Sequence, residues 1–124
     1  MAGKRVLIVD DNVDQLVMLA ALLRDGGHTV ETATSALYAL TVALTFHPEV
    51  VFLDIGMPQM DGYQASARFK SHFKRARVFA VTGRAGEEER QKSLAAGFED
   101  HLVKPIDIIT IEKILASPSP NPPG

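Results

Sequence analysis

Val6-Leu7-Ile8-Val9-Asp10-Asp11-Asn12 is the stretch that decides the fold: four apolar residues in a row, then two acids and a helix-capping residue. A run so short, so β-branched and apolar on both faces predicts a buried strand of a parallel sheet. Asn12 and Gln15, three residues apart, resemble a capping pair that opens a helix. Val13, Leu16, Val17, Ala20 and Leu23 then recur at helical spacing. Gly26-Gly27 ends the helix, because glycine accepts the left-handed conformation that closes it.

The same phrase recurs along the chain. Val50-Val51-Phe52-Leu53 is again fully apolar and again ends in an acid, Asp54. Val78-Phe79-Ala80-Val81 ends in Thr82-Gly83, and the shorter His101-Leu102-Val103 ends in Lys104-Pro105. His28 to Ala33 alternates, which predicts a strand at or near the sheet edge. Between the strands lie helical patterns. Ser35 caps one that runs to about His47, with Leu37, Leu40 and Leu44 on one face and Pro48 as its stop. After the loop Ile55 to Met60, Asp61 caps another, with Gln64 at the reciprocal position and Ala65, Phe69 and Phe73 on one side. Glu87 to Ala96 is mostly charged, and only Leu94 to Ala96 read as buried before Gly97 closes it. Asp107 caps the last helix, with Ile108, Ile111 and Leu115 on one stripe.

Five strand-helix units in alternation predict an α/β fold, a (βα)5 doubly wound parallel sheet sandwiched between helices. Right-handed crossovers place the C-terminal ends of all strands at one edge. Ligands of such sheets bind there, where the winding direction reverses.

Composition fits this reading and closes off others. The 124 residues suffice for one domain with a real core. That domain is expected over residues 1–116, with a disordered proline-rich tail at 117–124. A formal charge of -2 gives no basic footprint for nucleic acid or an anionic membrane. There is no cysteine, hence no disulfide, zinc-thiolate site or thiol nucleophile, and a cytoplasmic location is expected. No apolar stretch is long enough to span a bilayer or serve as a signal peptide.

Every unusual residue falls at the predicted edge. Asp10 and Asp11 end the first strand, Asp54 the third, Thr82 the fourth and Lys104 the fifth. If the first and third strands are neighbours, three carboxylates crowd one site, and a hard divalent cation such as Mg²⁺ relieves their repulsion. Asp54 is then a carboxylate nucleophile able to form an acyl phosphate. Asp10, Asp11, Asp54 and the Gly56 carbonyl are candidate metal ligands, while Lys104 adds a second positive charge. The Thr82 hydroxyl can donate to a phosphoryl oxygen, and Gly83 leaves room for the backbone to approach.

The segments VLIVDDN (6–12), LDIGMPQMDG (53–62), TG (82–83) and LVKP (102–105) together resemble the response-regulator receiver domain of two-component signalling. The resemblance covers residues 4 to about 116. It implies strand order 2-1-3-4-5, the flavodoxin-like order. It also implies Mg²⁺-dependent transfer of a phosphoryl group to Asp54 from the phosphohistidine of a histidine kinase or phosphotransfer protein. A cis bond before Pro105 follows from the same likeness. The family usually carries Tyr or Phe three residues before the lysine, where this chain has His101. His101 and Thr82 are the candidate switch, with a packed histidine of no signalling role as the equal alternative, and the expected response is a shift of the face built by helix four, strand five and helix five. The stretch 96–107 resembles receivers attached to hybrid histidine kinases. A stand-alone receiver and a hybrid-kinase receiver both remain open, as a monomer or weak dimer.

Each residue has a plainer reading. Asp10-Asp11 could only end a strand and cap a helix, Asp54 could be an ordinary turn residue, Thr82-Gly83 could be a turn, and Lys104 could be solvated. Five such coincidences at one edge favour the joint reading. A flavin or nucleotide binder on this fold would want a donor-rich loop after strand one, where this chain has Asp10 to Asp14. An aspartyl phosphatase would want an acid at position 56, which is glycine. The chain therefore reads as a phosphoacceptor with slow self-dephosphorylation, not a turnover enzyme. The alternative is a phosphorylation-independent interaction module.

Overall fold

The first and third apolar runs lie side by side. The computed structural model describes residues 3–57, 62–72 and 74–117. In chain order these form β1 (Arg5–Val9), α1 (Val13–Asp25), β2 (Thr29–Ala33), α2 (Ala36–Phe46), β3 (Val50–Asp54), α3 (Gly62–His72), β4 (Arg77–Thr82), α4 (Glu87–Ala95), β5 (His101–Val103) and α5 (Ile108–Ala116). All neighbouring strands are parallel, in the order β2-β1-β3-β4-β5. Val9 pairs with Leu53, so Asp10 and Asp54 follow at the same level of adjacent strands. The alternating strand, β2, is an edge strand.

The runs are apolar on both faces because both faces are covered. Val6, Ile8, Phe52 and Phe79 point to α1 and α5, where Leu16, Leu19, Leu23 and Ile111 meet them. The Phe52 and Phe79 rings stack with centroids 5.6 Å apart. Leu7, Val9, Leu53 and Val78 point the other way, against Ala36, Ala39, Ala43 and Phe69. Single-residue alternation along each strand thus feeds two separate cores.

Among the described residues, three helices start on side-chain caps. Asn12 Oδ1 accepts from the Gln15 amide at 3.1 Å, Ser35 Oγ from Tyr38 at 3.1 Å and Asp107 Oδ1 from Thr110 at 2.7 Å. Gly86 precedes α4 at φ 122° without any side-chain cap, and Glu87, Glu88 and Glu89 occupy the first turn, where the helix dipole favours acids. His47 closes α2 in the left-handed conformation (φ 52°), one residue before Pro48.

The buried helix faces differ in part from the sequence reading. On α2 the inward stripe is Ala36, Ala39 and Ala43; Leu37 and Leu44 are 65% and 59% exposed, and Leu40 is only partly buried. Both stripes have helical spacing, but small side chains let this helix lie close on the sheet, and its leucines then face outward. On α1, Leu19 joins the core, whereas Val13 and Val17 are exposed. On α4 the fully buried residue is Ser93; Leu94 and Ala96 are half-buried and Ala95 exposed. The Asp61 cap, the loop residues Pro58 to Met60, Phe73 and the tail from Pro118 lie outside the described residues. Among the described residues, no helix is long and apolar enough to cross a membrane.

Candidate functional site

Asp10 and Asp54 sit at the C-terminal ends of the two central strands, and both are buried. Asp11, one residue further, is exposed. Carboxylate oxygens of all three lie within 4.8 Å of one another. The backbone holds the two buried groups in place. Asp10 Oδ1 accepts from the Asn12 amide at 3.0 Å, and Asp54 Oδ1 accepts from the Gly56 amide at 2.8 Å. Each carboxylate therefore has one oxygen fixed by the loop that follows it and a second oxygen turned to the site.

Lys104 serves both second oxygens. Its Nζ donates to Asp54 Oδ2 at 2.7 Å and lies 3.3 Å from Asp10 Oδ2. The Lys104-Pro105 bond is cis, and the Lys104 amide donates to the Thr82 carbonyl at 2.8 Å. Burial works against the ammonium charge, yet the hydrogen bond and charge of Asp54, helped by Asp10, raise the Lys104 pKa above its ordinary value. The lysine is therefore a fixed cation at neutral pH. A cavity of 330 Å³ opens beside it, lined in part by Asp10, Asn12 and Pro105.

Thr82 is buried, and its Oγ1 accepts from the Arg84 amide at 3.0 Å. An accepting hydroxyl keeps its own proton free to donate. His101 opens β5 beside Ala80 of β4, half-buried, with its Nδ1 shielded from solvent and without a hydrogen-bond partner among the described residues. A Cβ added to Gly56 would come within 3.3 Å of Asp54 Oδ1, so the glycine lets the loop fold back on the carboxylate. A Cβ at Gly83 would meet nothing within 4 Å, so the room expected there is not demanded by these neighbours.

The structure thus brings Asp10, Asp11, Asp54 and Lys104 into one cluster, with Thr82 at the end of the adjacent strand. The orienting amides of Asn12, Gly56 and Arg84 were not read from the sequence as such. A polar residue followed two positions later by an amide is the only local hint, and it is common to many turns. Three carboxylates facing one ammonium leave negative charge unbalanced, and an oxygen-only donor set of that kind suits Mg²⁺.

Comparison with known proteins agrees with this geometry. The response regulator receiver domain family matches residues 6–116. An uncharacterised 14.6 kDa protein of Leptolyngbya boryana is 33% identical over 93% of this chain and 89% of its own length. The regulatory protein AtoC of Escherichia coli is 34% identical over 92% of this chain, and the sensor histidine kinase RcsC of the same species 34% over 89%. The chain spans only 25% and 12% of those two proteins. Among solved structures, the chemotaxis response regulator CheY4 of Vibrio cholerae superposes with a TM-score of 0.83 at 31% identity, covering 92% of this chain and 97% of that one. With a five-stranded sheet of matching order and an acidic cluster at its C-terminal edge, the chain belongs to the response regulator receiver domains of two-component systems.

Proposed function

We propose that Asp54 accepts a phosphoryl group from the phosphohistidine of a histidine kinase or histidine phosphotransfer protein. The observation that carries this reading is the shared ammonium: Lys104 Nζ sits 2.7 Å from Asp54 and 3.3 Å from Asp10 at the end of the central strands. An oxygen of Asp54 attacks phosphorus, the P–N bond of the phosphohistidine breaks, and the imidazole nitrogen keeps the electron pair. The product is an acyl phosphate. Lys104 remains within reach of the new phosphoryl oxygens and offsets their charge. Thr82 donates its free hydroxyl proton to one of them. Asp10, Asp11, Asp54 and the Gly56 carbonyl would hold Mg²⁺, which neutralises charge on the transferring group.

His101, paired across the ladder with Ala80 two residues before Thr82, supports a switch. A shielded nitrogen without a partner costs about 1–3 kcal/mol, so a rearrangement that gives it one is rewarded. Phosphorylation then moves Thr82 toward the phosphate and repositions His101, with α4, β5 and α5 as the responding face. In this reading residues 1–116 are the working domain, an acceptor and not a turnover enzyme, in a cytoplasm-facing setting that a cysteine-free chain suits.

Incubation with acetyl phosphate and Mg²⁺, followed by intact mass measurement, tests the site. The wild-type chain should gain one phosphoryl group, and Asp54→Asn should gain none. Equal labelling of both chains would refute the assignment, and no labelling of either would favour a phosphorylation-independent interaction module.

A further inference from the structure

A cavity of 660 Å³, twice the volume of that at the acidic edge, opens at the opposite edge of the sheet. It lies beneath the N-terminal ends of β1, β3 and β4. Lys4, Arg5, Lys74, Arg75 and Arg77 line it, against one carboxylate among the described residues, Glu49. The chain as a whole carries -2, so these cations are concentrated and not a reflection of composition.

Two of the five are already committed. Arg5 Nη1 lies 3.7 Å from Glu49, and Arg77 donates from Nε to Glu99 at 2.8 Å. Lys4, Lys74 and Arg75 have no ion pair among the described residues. Lys74 and Arg75 are exposed in the turn between α3 and β4, and Lys4 is half-buried just before β1. Three uncompensated cations thus flank one opening. The floor is different in kind: Val50, Ala76 and Leu115 are buried there, beside Ser71, while the Ser117 hydroxyl is already engaged with the Ile114 carbonyl at 2.7 Å.

We propose that this cavity binds a nucleoside triphosphate. Its volume falls in the range of small-molecule sites. The free cations match the polyphosphate, whose oxygens accept charge-assisted hydrogen bonds from ammonium and guanidinium groups. The apolar floor and the Ser71 hydroxyl take the nucleoside. A bound nucleotide would lie against Leu115 and Ser117, the end of α5 that Arg77 ties to β4. It would therefore bear on α5 from the edge opposite the phosphoacceptor.

Calorimetric titration with ATP and GTP in EDTA tests this, because chelation removes any binding through a metal at the acidic edge. Saturable binding of at least one nucleotide is expected, tighter than that of inorganic tripolyphosphate. Asp54→Asn should bind equally well. The double variant Lys74→Glu/Arg75→Glu, altered only at exposed positions, should keep its thermal midpoint and lose at least about tenfold in affinity. Absence of saturable binding by either nucleotide, tripolyphosphate binding as tightly as the nucleotide, or full affinity in the double variant would overturn the proposal.

Discussion

The two edges of the sheet treat buried charge in opposite ways. At the N-terminal edge, Arg77 is fully engaged. It donates to both oxygens of Glu99, to the carbonyls of Ile114 (3.2 Å) and Ser117 (3.1 Å) and to the Ser117 hydroxyl (3.2 Å), and its guanidinium carbon lies 5.4 Å from the centre of the Phe79 ring. At the C-terminal edge, one flexible ammonium is shared by two carboxylates while a third stands exposed. A planar fork with every donor used ties α5 and the loop before β5 to the start of β4. A point charge spread over an acidic excess leaves negative charge unbalanced there, which on the proposed function a further cation and an incoming phosphoryl group would use. The same strands are locked at one end and, on the proposed function, left open to a phosphoryl group at the other.

Removing the lock should have the largest effect. Arg77→Ala strands Glu99 and frees the end of α5, and should cost about 3 kcal/mol in urea unfolding; a loss below about 1 kcal/mol would mean that the engaged edge is no more structural than the reactive one. Lys104→Met should cost less, about 1 kcal/mol without metal, since the lysine is partly solvated. Saturating Mg²⁺ should stabilise Lys104→Met more than wild type and so narrow its deficit, whereas the deficit of Arg77→Ala relative to wild type should stay unchanged. A Lys104→Met chain whose unfolding midpoint ignores Mg²⁺ would erase the contrast.

The smallest effect concerns Asp107, an acid near the reactive edge whose work is structural. Hydrogen bonds from the Thr110 amide and hydroxyl lower its pKa below the ordinary 3.8. A lowered folded-state value means stability that is present above the unfolded value and lost as pH falls through the folded one. Asp107→Asn keeps an acceptor but cannot ionise. Wild type should therefore be slightly more stable than Asp107→Asn at neutral pH, and the gap should close below pH 3.8. A gap that persists at lower pH would assign the difference to geometry and not to charge.

The strands were legible because a short run apolar on both faces suits little besides a strand covered by helices on two sides, and the acids that end such runs stand out against them. That Asp10, Asp54, Thr82 and Lys104 fall at one edge follows from parallel topology alone. The buried face of α2 was not legible. Leu37, Leu40 and Leu44 carry more hydrophobic area than Ala36, Ala39 and Ala43, and pattern reading weighs that area, whereas the distance of a helix from its sheet is decided by the small residues between them. The Arg77 clamp was hidden for another reason. Its partners lie 22 to 40 positions away, and no local period links them. The basic cavity likewise gathers residues from both ends of the chain, which a net charge of -2 conceals.

The central claim is that Asp54 carries the phosphoryl group, and chemical trapping tests it most directly. An acyl phosphate is reduced by borohydride, so treatment after incubation with acetyl phosphate and Mg²⁺ marks the phosphorylated carboxylate before digestion and peptide mapping by mass spectrometry. The account predicts one modified position, Asp54, with Asp10 and Asp11 unmodified. A mark on Asp10 or Asp11, or a phosphorylated chain that borohydride leaves unmarked, would contradict it.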